Sequence, residues 1–159
     1  MIEELIKEIG KNLRDQNLTL STAESCTGGY ISHNITNTEG SSDFFEGGFV
    51  TYSKASKIRD LKIDLKILEH QGIYSRETAE AMADAIRRIF GTSIGLSTTG
   101  IAPPGDKQAT EKTGKLVIGI STKKGINSKE IFLQAKTRRD FKEKATKEAL
   151  ILLKKEIEK

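Results

Sequence analysis

Three stretches of the chain carry apolar residues at intervals of three and four, the spacing of an amphipathic helix. The first covers residues 2–15, and the other two follow Ser75 and Thr137, residue types that commonly cap a helix N-terminus. The predicted inward-facing positions are Ile2, Leu5, Ile6, Ile9 and Leu13, then Ala79, Met82, Ala83, Ile86, Ile89 and Phe90, and finally Phe141, Ala145, Ala149, Leu152 and Leu153.

Runs rich in β-branched and aromatic residues lie between these helices and predict strands. Shorter helices are expected within 25–37 and after Ser53. The predicted strands are 18–23, 48–52, 92–100, 115–122 and 128–135, the last two forming a hairpin around "KKGIN". Because strands alternate with helices, the sequence predicts one α/β domain over 1–159, with helices on both faces of a sheet that the hairpin makes mixed.

Composition narrows the class of protein. The chain has 159 residues, of which 36% are hydrophobic and 30% charged, as in a globular domain. No apolar run approaches the ~20 residues that span a bilayer, and the start lacks the profile of a secretory signal, so the expected location is the cytoplasm without membrane attachment. A single cysteine excludes an intrachain disulfide and a cysteine-based metal site. Neither a metal nor a cofactor is predicted.

The formal net charge is +4, and the segment 136–159 accounts for all of it, with nine Lys or Arg against five Asp or Glu. Asp140 with Lys144, and Glu143 with Lys147, have the i, i+4 spacing of helical ion pairs. This spacing favours a solvated, salt-bridged helix face over a nucleic-acid surface, and no nucleic-acid motif is present.

The stretch "AESCTGG" contains the first candidate chemistry. If a helix begins near Thr27, Ser25 and Cys26 lie at a strand-to-helix turn, where helix amides lack internal partners. The amides of Cys26, Thr27, Gly28 and Gly29 are then candidates to hold an anion or an oxyanion. The alternative is an ordinary capped helix with glycines in a tight turn.

Two of these residues compete as the nucleophile. Cys26 is intrinsically the stronger, and a helix N-terminus would lower its pKa. However, neither His33 nor His70 lies in a motif that would pair it with a nucleophile, so a Ser–His–Asp arrangement is not indicated. Ser25 has another route, because a neutral lysine can activate a serine.

A lysine suited to that role lies in "TYSKASK". If Ser53 caps a helix, Lys57 falls in its first turns, where the helix dipole and burial both lower the pKa of the ammonium. Tyr52 is a candidate to orient the lysine or relay a proton. The alternative is an ordinary surface lysine.

Several motifs together resemble one family. "TAESCTGG", "GSS", "GGFVTYS" with a lysine five residues after the tyrosine, "TTGIA" and a late "EK" before a strand are similar to the CinA C-terminal domain, over about 20–149. The resemblance implies a three-layer α/β/α sandwich with a mixed, mainly parallel sheet of about five to six strands. It also implies a homo-oligomer that hydrolyses the carboxamide of nicotinamide mononucleotide (NMN) in pyridine nucleotide salvage, without metal or cofactor.

The resemblance also implies roles for particular residues. Ser25 matches the nucleophile, Lys57 the general base and Tyr52 the assisting tyrosine, and the Cys26 amide is placed at the oxyanion hole. Arg138 is a candidate anchor for the phosphate. The other implied substrate-binding positions are Glu24, Thr27, Gly28, Gly29, Ser41, Ser42, Thr99 and Gly100.

The chain departs from the family pattern at two places. In "TGIAPPGDKQATEKTG" Pro103 replaces a glycine of the family pattern. The proline fixes φ and removes an N–H from a loop that is a candidate to contact the ligand. In "YSKASK", Lys54 lies close to the proposed base and could compete with it. Three functions therefore stay open: NMN deamidation, hydrolysis of another small amide or silent nucleotide binding, and an interaction module linked to competence or DNA damage.

Overall fold

The computed structural model describes residues 1–105 and 112–159 of the chain. The helices are α1 (Ile2–Asp15), α2 (Tyr30–Thr36), α3 (Lys54–Leu61), α4 (Leu65–His70), α5 (Arg76–Phe90) and α6 (Arg138–Ile157). The strands are β1 (Leu20–Glu24), β2 (Phe45–Val50), β3 (Ile94–Gly100), β4 (Lys115–Thr122) and β5 (Gly125–Phe132). A 3-10 turn covers Ser41–Asp43.

The strands form one mixed sheet in the order β2-β1-β3-β4-β5. β1 pairs in parallel with both β2 and β3, whereas β4 is antiparallel to β3 and to β5. β4 is thus the strand that runs opposite to the other four, which confirms a mixed, mainly parallel sheet. The carboxyl ends of β1, β2 and β3 lie at one edge of this sheet, and that edge carries the candidate site.

Helices cover both faces of the sheet, which confirms the three-layer α/β/α architecture. α1, α2 and α6 pack on one face, where Ile6, Phe44 and Phe141 belong to the larger apolar core. α3, α4 and α5 pack on the other face around Met82 and Ile86. Apolar burial against two faces of one sheet is the main stabilisation of such a fold.

Helix periodicity and capping chemistry predicted several boundaries correctly. α1 covers the predicted 2–15, and Ser75 and Thr137 accept the amides of Thr78 and Asp140 as N-caps. The prediction that Ile89 faces inward was wrong, because this residue lies in the last turn of α5 and is 46% exposed. Lys144 pairs with Asp140 as predicted, but Glu143 pairs with Arg139 rather than with Lys147.

Several predicted segments have other bounds in the structure; β2, for example, covers Phe45–Val50 instead of 48–52. α2 starts at Tyr30 instead of near Thr27, because Gly28 and Gly29 both have positive φ, which an α-helix does not admit. β5 starts at Gly125, so the hairpin turn is shorter than "KKGIN". Residues 106–111 of the loop predicted around the two prolines lie outside the described residues.

Candidate active site

Ser25 directly follows β1 at the carboxyl edge of the sheet. Its amide donates to the carbonyl of Thr98 on the neighbouring strand at 3.0 Å, which ties the residue to the end of β3. Only 4% of Ser25 is exposed, and that part opens into a surface pocket. The sheet therefore fixes where the Ser25 hydroxyl points.

Lys57 reaches this hydroxyl from the first turns of α3. Ser53 caps the helix as predicted, in a reciprocal capping box with Ser56. The side chain of Lys57 is fully buried, and its Nζ lies 2.8 Å from Ser25 Oγ. The structure thus brings together the two residues that the sequence pointed to separately.

The hydrogen-bond partners of Lys57 are three oxygen atoms, an arrangement compatible both with an ammonium that donates to all three and with a neutral amine. Besides Ser25 Oγ, its Nζ lies 2.7 Å from the carbonyl of Thr51 and 3.3 Å from that of Tyr52. A neutral amine has two N–H donors and one lone pair. The two carbonyls can accept both donors, which leaves the lone pair for the proton of the serine.

Burial lowers the pKa of Lys57 from 10.5 to about 8, a change that the nearby Cys26 opposes only slightly. Removal of the ammonium from water is the physical cause, as the sequence analysis anticipated. Among the described residues, no carboxylate forms an ion pair with Lys57. A substantial neutral fraction is therefore present near physiological pH.

The turn after Ser25 is organised by Glu24 rather than by the start of a helix. The carboxylate of Glu24, only 1% exposed, accepts from the amides of Gly29, Ile31 and Ser32 at 2.8–3.1 Å. The hydroxyls of Thr27 and Ser32 also donate to it. Glu24 therefore supports the turn, and its carboxylate takes one of the four amides that the sequence offered to a ligand, that of Gly29.

This arrangement corrects the predicted set of oxyanion donors. The amide of Gly28 closes the turn by donating to the Ser25 carbonyl at 3.1 Å, and that of Gly29 is bound by Glu24. In the part of the chain that the structure describes, the amide of Thr27 has no acceptor, and that of Cys26 interacts only with its own thiol. Only these two of the four predicted donors remain for an oxyanion.

The prediction of a lowered pKa for Cys26 was wrong. Burial raises the pKa of its thiol to about 12, and the hydrogen bond with Thr98 offsets only part of that effect. Cys26 is 5% exposed and lies four residues before Tyr30, the first residue of α2, so the helix dipole does not compensate. The thiol is therefore not a competent nucleophile at neutral pH.

A pocket of about 310 Å³ opens beside Ser25. Its volume falls at the lower end of the range for small-molecule sites, ~300–1,000 Å³. Its walls are formed by Ser25, Cys26, Tyr52, Lys54, Ile73, Tyr74, Gly100, Ile101, Ala102, Gly105 and Arg138. Ile73 and Tyr74 come from the α4–α5 connection, which no sequence motif marked, so only the fold reveals them as part of the wall.

Tyr52 and Arg138 meet across the mouth of this pocket. Arg138 donates to the Tyr52 hydroxyl at 2.9 Å, and a longer contact of 3.5 Å joins it to the carbonyl of Pro103. The phenol of Tyr52 therefore does not bind Lys57. It is the backbone carbonyl of Tyr52 that contacts both Lys57 and, at 3.5 Å, Ser25 Oγ.

Other candidates lie away from the reacting pair. Ser41 and Ser42 precede β2, at the amino end of the strands, because the carbonyl of Phe44 pairs with the amide of Leu20. Thr99 is buried and donates to the carbonyl of Ile73, whereas its neighbour Gly100 does line the pocket. The "GSS" motif is thus excluded from this site by the direction of β1 and β2.

Lys54 lines the pocket but does not compete for Ser25. Its ammonium lies 3.8 Å from Glu69 and its side chain is 44% exposed. Its side chain is thus directed to solvent and to Glu69 rather than to the Ser25 hydroxyl. Lys57 is therefore the only one of these two lysines that is suited to accept a proton.

The fold and the site together define a three-layer α/β domain with a buried lysine–serine contact at the carboxyl edge of its sheet. The chain belongs to the CinA C-terminal domain family, whose model matches residues 2–157. A CinA-like protein of Chloroherpeton thalassium is 42% identical over 125 residues, which cover 79% of this chain and 30% of that protein. The chain spans about a third of the length of the curated relatives it matches.

Solved structures of the same superfamily have the same fold. The competence/damage inducible protein CihA from Agrobacterium tumefaciens matches with a TM-score of 0.93 and 31% identity, covering 99% of this chain and 96% of that one. A competence-damaged protein (CinA) superfamily protein from Enterobacter cloacae also gives 0.93, at 28% identity, with 99% and 92% covered. Within the described ranges, no helix is long and apolar enough to cross a membrane.

Proposed function

We propose that this chain is an amidohydrolase that converts NMN to nicotinate mononucleotide and ammonia, with Ser25 as nucleophile and Lys57 as general base. The observation that carries the proposal is the 2.8 Å contact between Ser25 Oγ and the buried Nζ of Lys57. The substrate is suggested by the resemblance of the surrounding motifs to the CinA C-terminal domain.

In the first step Ser25 Oγ attacks the carboxamide carbon while its proton passes to Lys57. The amides of Cys26 and Thr27 hold the oxyanion that develops on the carboxamide oxygen. When the C–N bond breaks, Lys57 returns the proton to the leaving nitrogen, which departs as ammonia and leaves an ester on Ser25. Positioned acid–base catalysis of this kind contributes roughly 10²–10⁴ to the rate.

The second step consumes water. Lys57 takes a proton from the water as its oxygen adds to the ester carbon, and the proton then returns to Ser25 Oγ as the ester bond breaks. Nicotinate mononucleotide leaves as the carboxylate. Arg138, which lines the pocket, is the proposed anchor for the phosphate, because a guanidinium can bind such a group through two N–H donors.

The test is ammonia release from NMN by the purified protein, beside the Ser25→Ala and Lys57→Met variants. Lys54→Met is the matched control, because it removes a lysine that lines the same pocket without contacting Ser25. We expect both dyad variants to lose at least 10²-fold in kcat, as expected for loss of a nucleophile or its base. Undiminished turnover by Ser25→Ala would exclude Ser25 as the nucleophile.

The pH dependence gives a further prediction. Because the neutral form of Lys57 is the active one and its pKa is about 8, kcat/KM should rise with pH and level off above that value. The measurement is the initial rate across pH 6 to 10. A rate that falls over this interval would contradict a neutral lysine base.

A second candidate is hydrolysis of another small amide by the same residues. It is favoured by the substituted loop, because Ala102 and Gly105 line the pocket and Pro103 contacts Arg138 through its carbonyl. Nicotinamide riboside and nicotinamide are therefore assayed in parallel. Turnover of these amides in preference to NMN would replace the first proposal by the second.

A further inference from the structure

A second cation accompanies Arg138 on α6. Lys142 follows one helical turn later, so the two side chains share one face of the helix. Its ammonium lies against Gly28, in the turn that carries Ser25: a Cβ placed on Gly28 would be 3.1 Å from Lys142 Nζ and 3.5 Å from its Cε. The positive charge is therefore held between α6 and the turn beside the pocket.

The acidic groups around Lys142 are committed to other partners. Asp140 binds Lys144 and the amide of Lys136, each at 3.0 Å. Glu143 lies 3.5 Å from Arg139. The buried Glu24 carboxylate is taken up by the amides and hydroxyls of its own turn and of α2.

Among residues 1–105 and 112–159, Lys142 has neither a hydrogen bond nor an ion pair with its ammonium. A half-buried ammonium that has no anionic partner among these described residues is suited to an anionic ligand. Arg138 retains capacity as well, because its contacts within the described ranges are a phenol oxygen and a distant carbonyl rather than a carboxylate. Two cations thus remain available along one face of α6.

We propose that Lys142 is a specificity-determining residue that binds the phosphate monoester of the substrate together with Arg138. The proposal rests on the proposed function and deepens it by adding Lys142 to the residues that select a phosphorylated amide over an unphosphorylated one. A phosphate monoester carries a charge of about −1.5 to −2 at neutral pH, more than one guanidinium balances. Arg138 supplies a planar fork and Lys142 a compact point charge, and both lie in the first two turns of α6, where the helix dipole also favours an anion.

The first experiment compares Lys142→Met on NMN and on nicotinamide riboside, which lacks the phosphate. A hydrogen bond to a charged group is worth roughly 10- to 100-fold in binding, so kcat/KM for NMN should fall by that factor while the riboside value stays unchanged. Lys147→Met is the matched control, because it removes an exposed charge from the same helix, rotated well away from Lys142. An equal loss on both substrates, or no loss on either, overturns the proposal.

The second experiment does not depend on turnover. Nicotinate mononucleotide and inorganic phosphate are titrated by calorimetry into Ser25→Ala and into Ser25→Ala combined with Lys142→Met. We expect the second variant to bind both probes at least 10-fold more weakly. Equal affinities, or no binding to Ser25→Ala at millimolar concentration, overturn the role of Lys142. Binding that depends on Lys142 in a protein that does not release ammonia from NMN would instead reject the proposed reaction and keep the phosphate site.

Discussion

Replacing Lys57 with methionine should change how the stability of the protein depends on pH. In the folded protein the pKa of Lys57 is about 8 because of burial, compared with an ordinary value of 10.5. Between these two values the unfolded chain keeps a proton that the folded protein has lost. Raising the pH therefore favours the folded state of the wild type. In the Lys57→Met variant this contribution is absent, because methionine does not titrate.

The expected size follows from the two pKa values. Each pH step across the full interval adds about 1.36 kcal/mol, and the titration of a single site gives a gain of roughly 2.5 kcal/mol from pH 7 to pH 10. Methionine has a similar length and no charge, so it fills the same space. It leaves the carbonyls of Thr51 and Tyr52 without their donor, but that cost is independent of pH.

The assay is urea unfolding of both proteins at pH 7, 8, 9 and 10, with the free energy of unfolding extrapolated to water. The quantity to compare is the free energy of unfolding of the wild type minus that of the variant. In this difference the titration of groups that both proteins share cancels. Cys26 is one of these: its pKa is raised from 9.0 to about 12, so its contribution to stability is lost as the pH rises above 9. A difference that stays constant within about 0.5 kcal/mol, or that falls with pH, would refute a buried lysine with a lowered pKa.

Three further predictions concern the surroundings of the dyad. Glu24→Gln places an amide donor against the donors of its turn, and should lower the free energy of unfolding by about 3 kcal/mol in urea; a change below 1 kcal/mol would contradict that role. Cys26 should resist iodoacetamide at pH 8 in the native protein and react once the chain is unfolded, whereas rapid native labelling would mean an accessible thiolate. Gly119→Ala adds a methyl group that overlaps the carbonyl of Ala79, so its thermal midpoint should fall by an amount equivalent to about 2 kcal/mol; an unchanged midpoint would mean that β4 and α5 separate freely.

Several elements were predictable because their signals are local. The period of apolar residues in α1 and the cap chemistry of Ser53, Ser75 and Thr137 depend on neighbours three or four positions away. Those signals gave the helix boundaries and placed Lys57 in the first turns of α3. The same kind of reasoning failed at α2, which was predicted to begin near Thr27. The carboxylate of Glu24, at the end of the preceding strand, instead binds the amides of Gly29 and Ile31.

The residues that line the pocket could not be derived from their spacing along the chain. Ser41 and Ser42 stand in a motif beside β2, yet the parallel pairing of β1 with β2 puts them at the opposite edge of the sheet from Ser25. Ile73 and Tyr74 carry no motif and form part of the wall, because α5 returns across the sheet. Pairing direction and crossover connections decide such neighbours, and both are properties of the whole sheet.

The sequence by itself determined the family, the alternation of helices and strands, and the residue types available for chemistry at Ser25 and Lys57. Only the tertiary structure decided what those residues can do. Burial raises the pKa of Cys26 and lowers that of Lys57, although both stand near helix starts in the sequence. The physical reason is that desolvation comes from segments brought together by folding: at Cys26 it outweighs any effect of the helix dipole, and at Lys57 it acts in the same direction as the dipole.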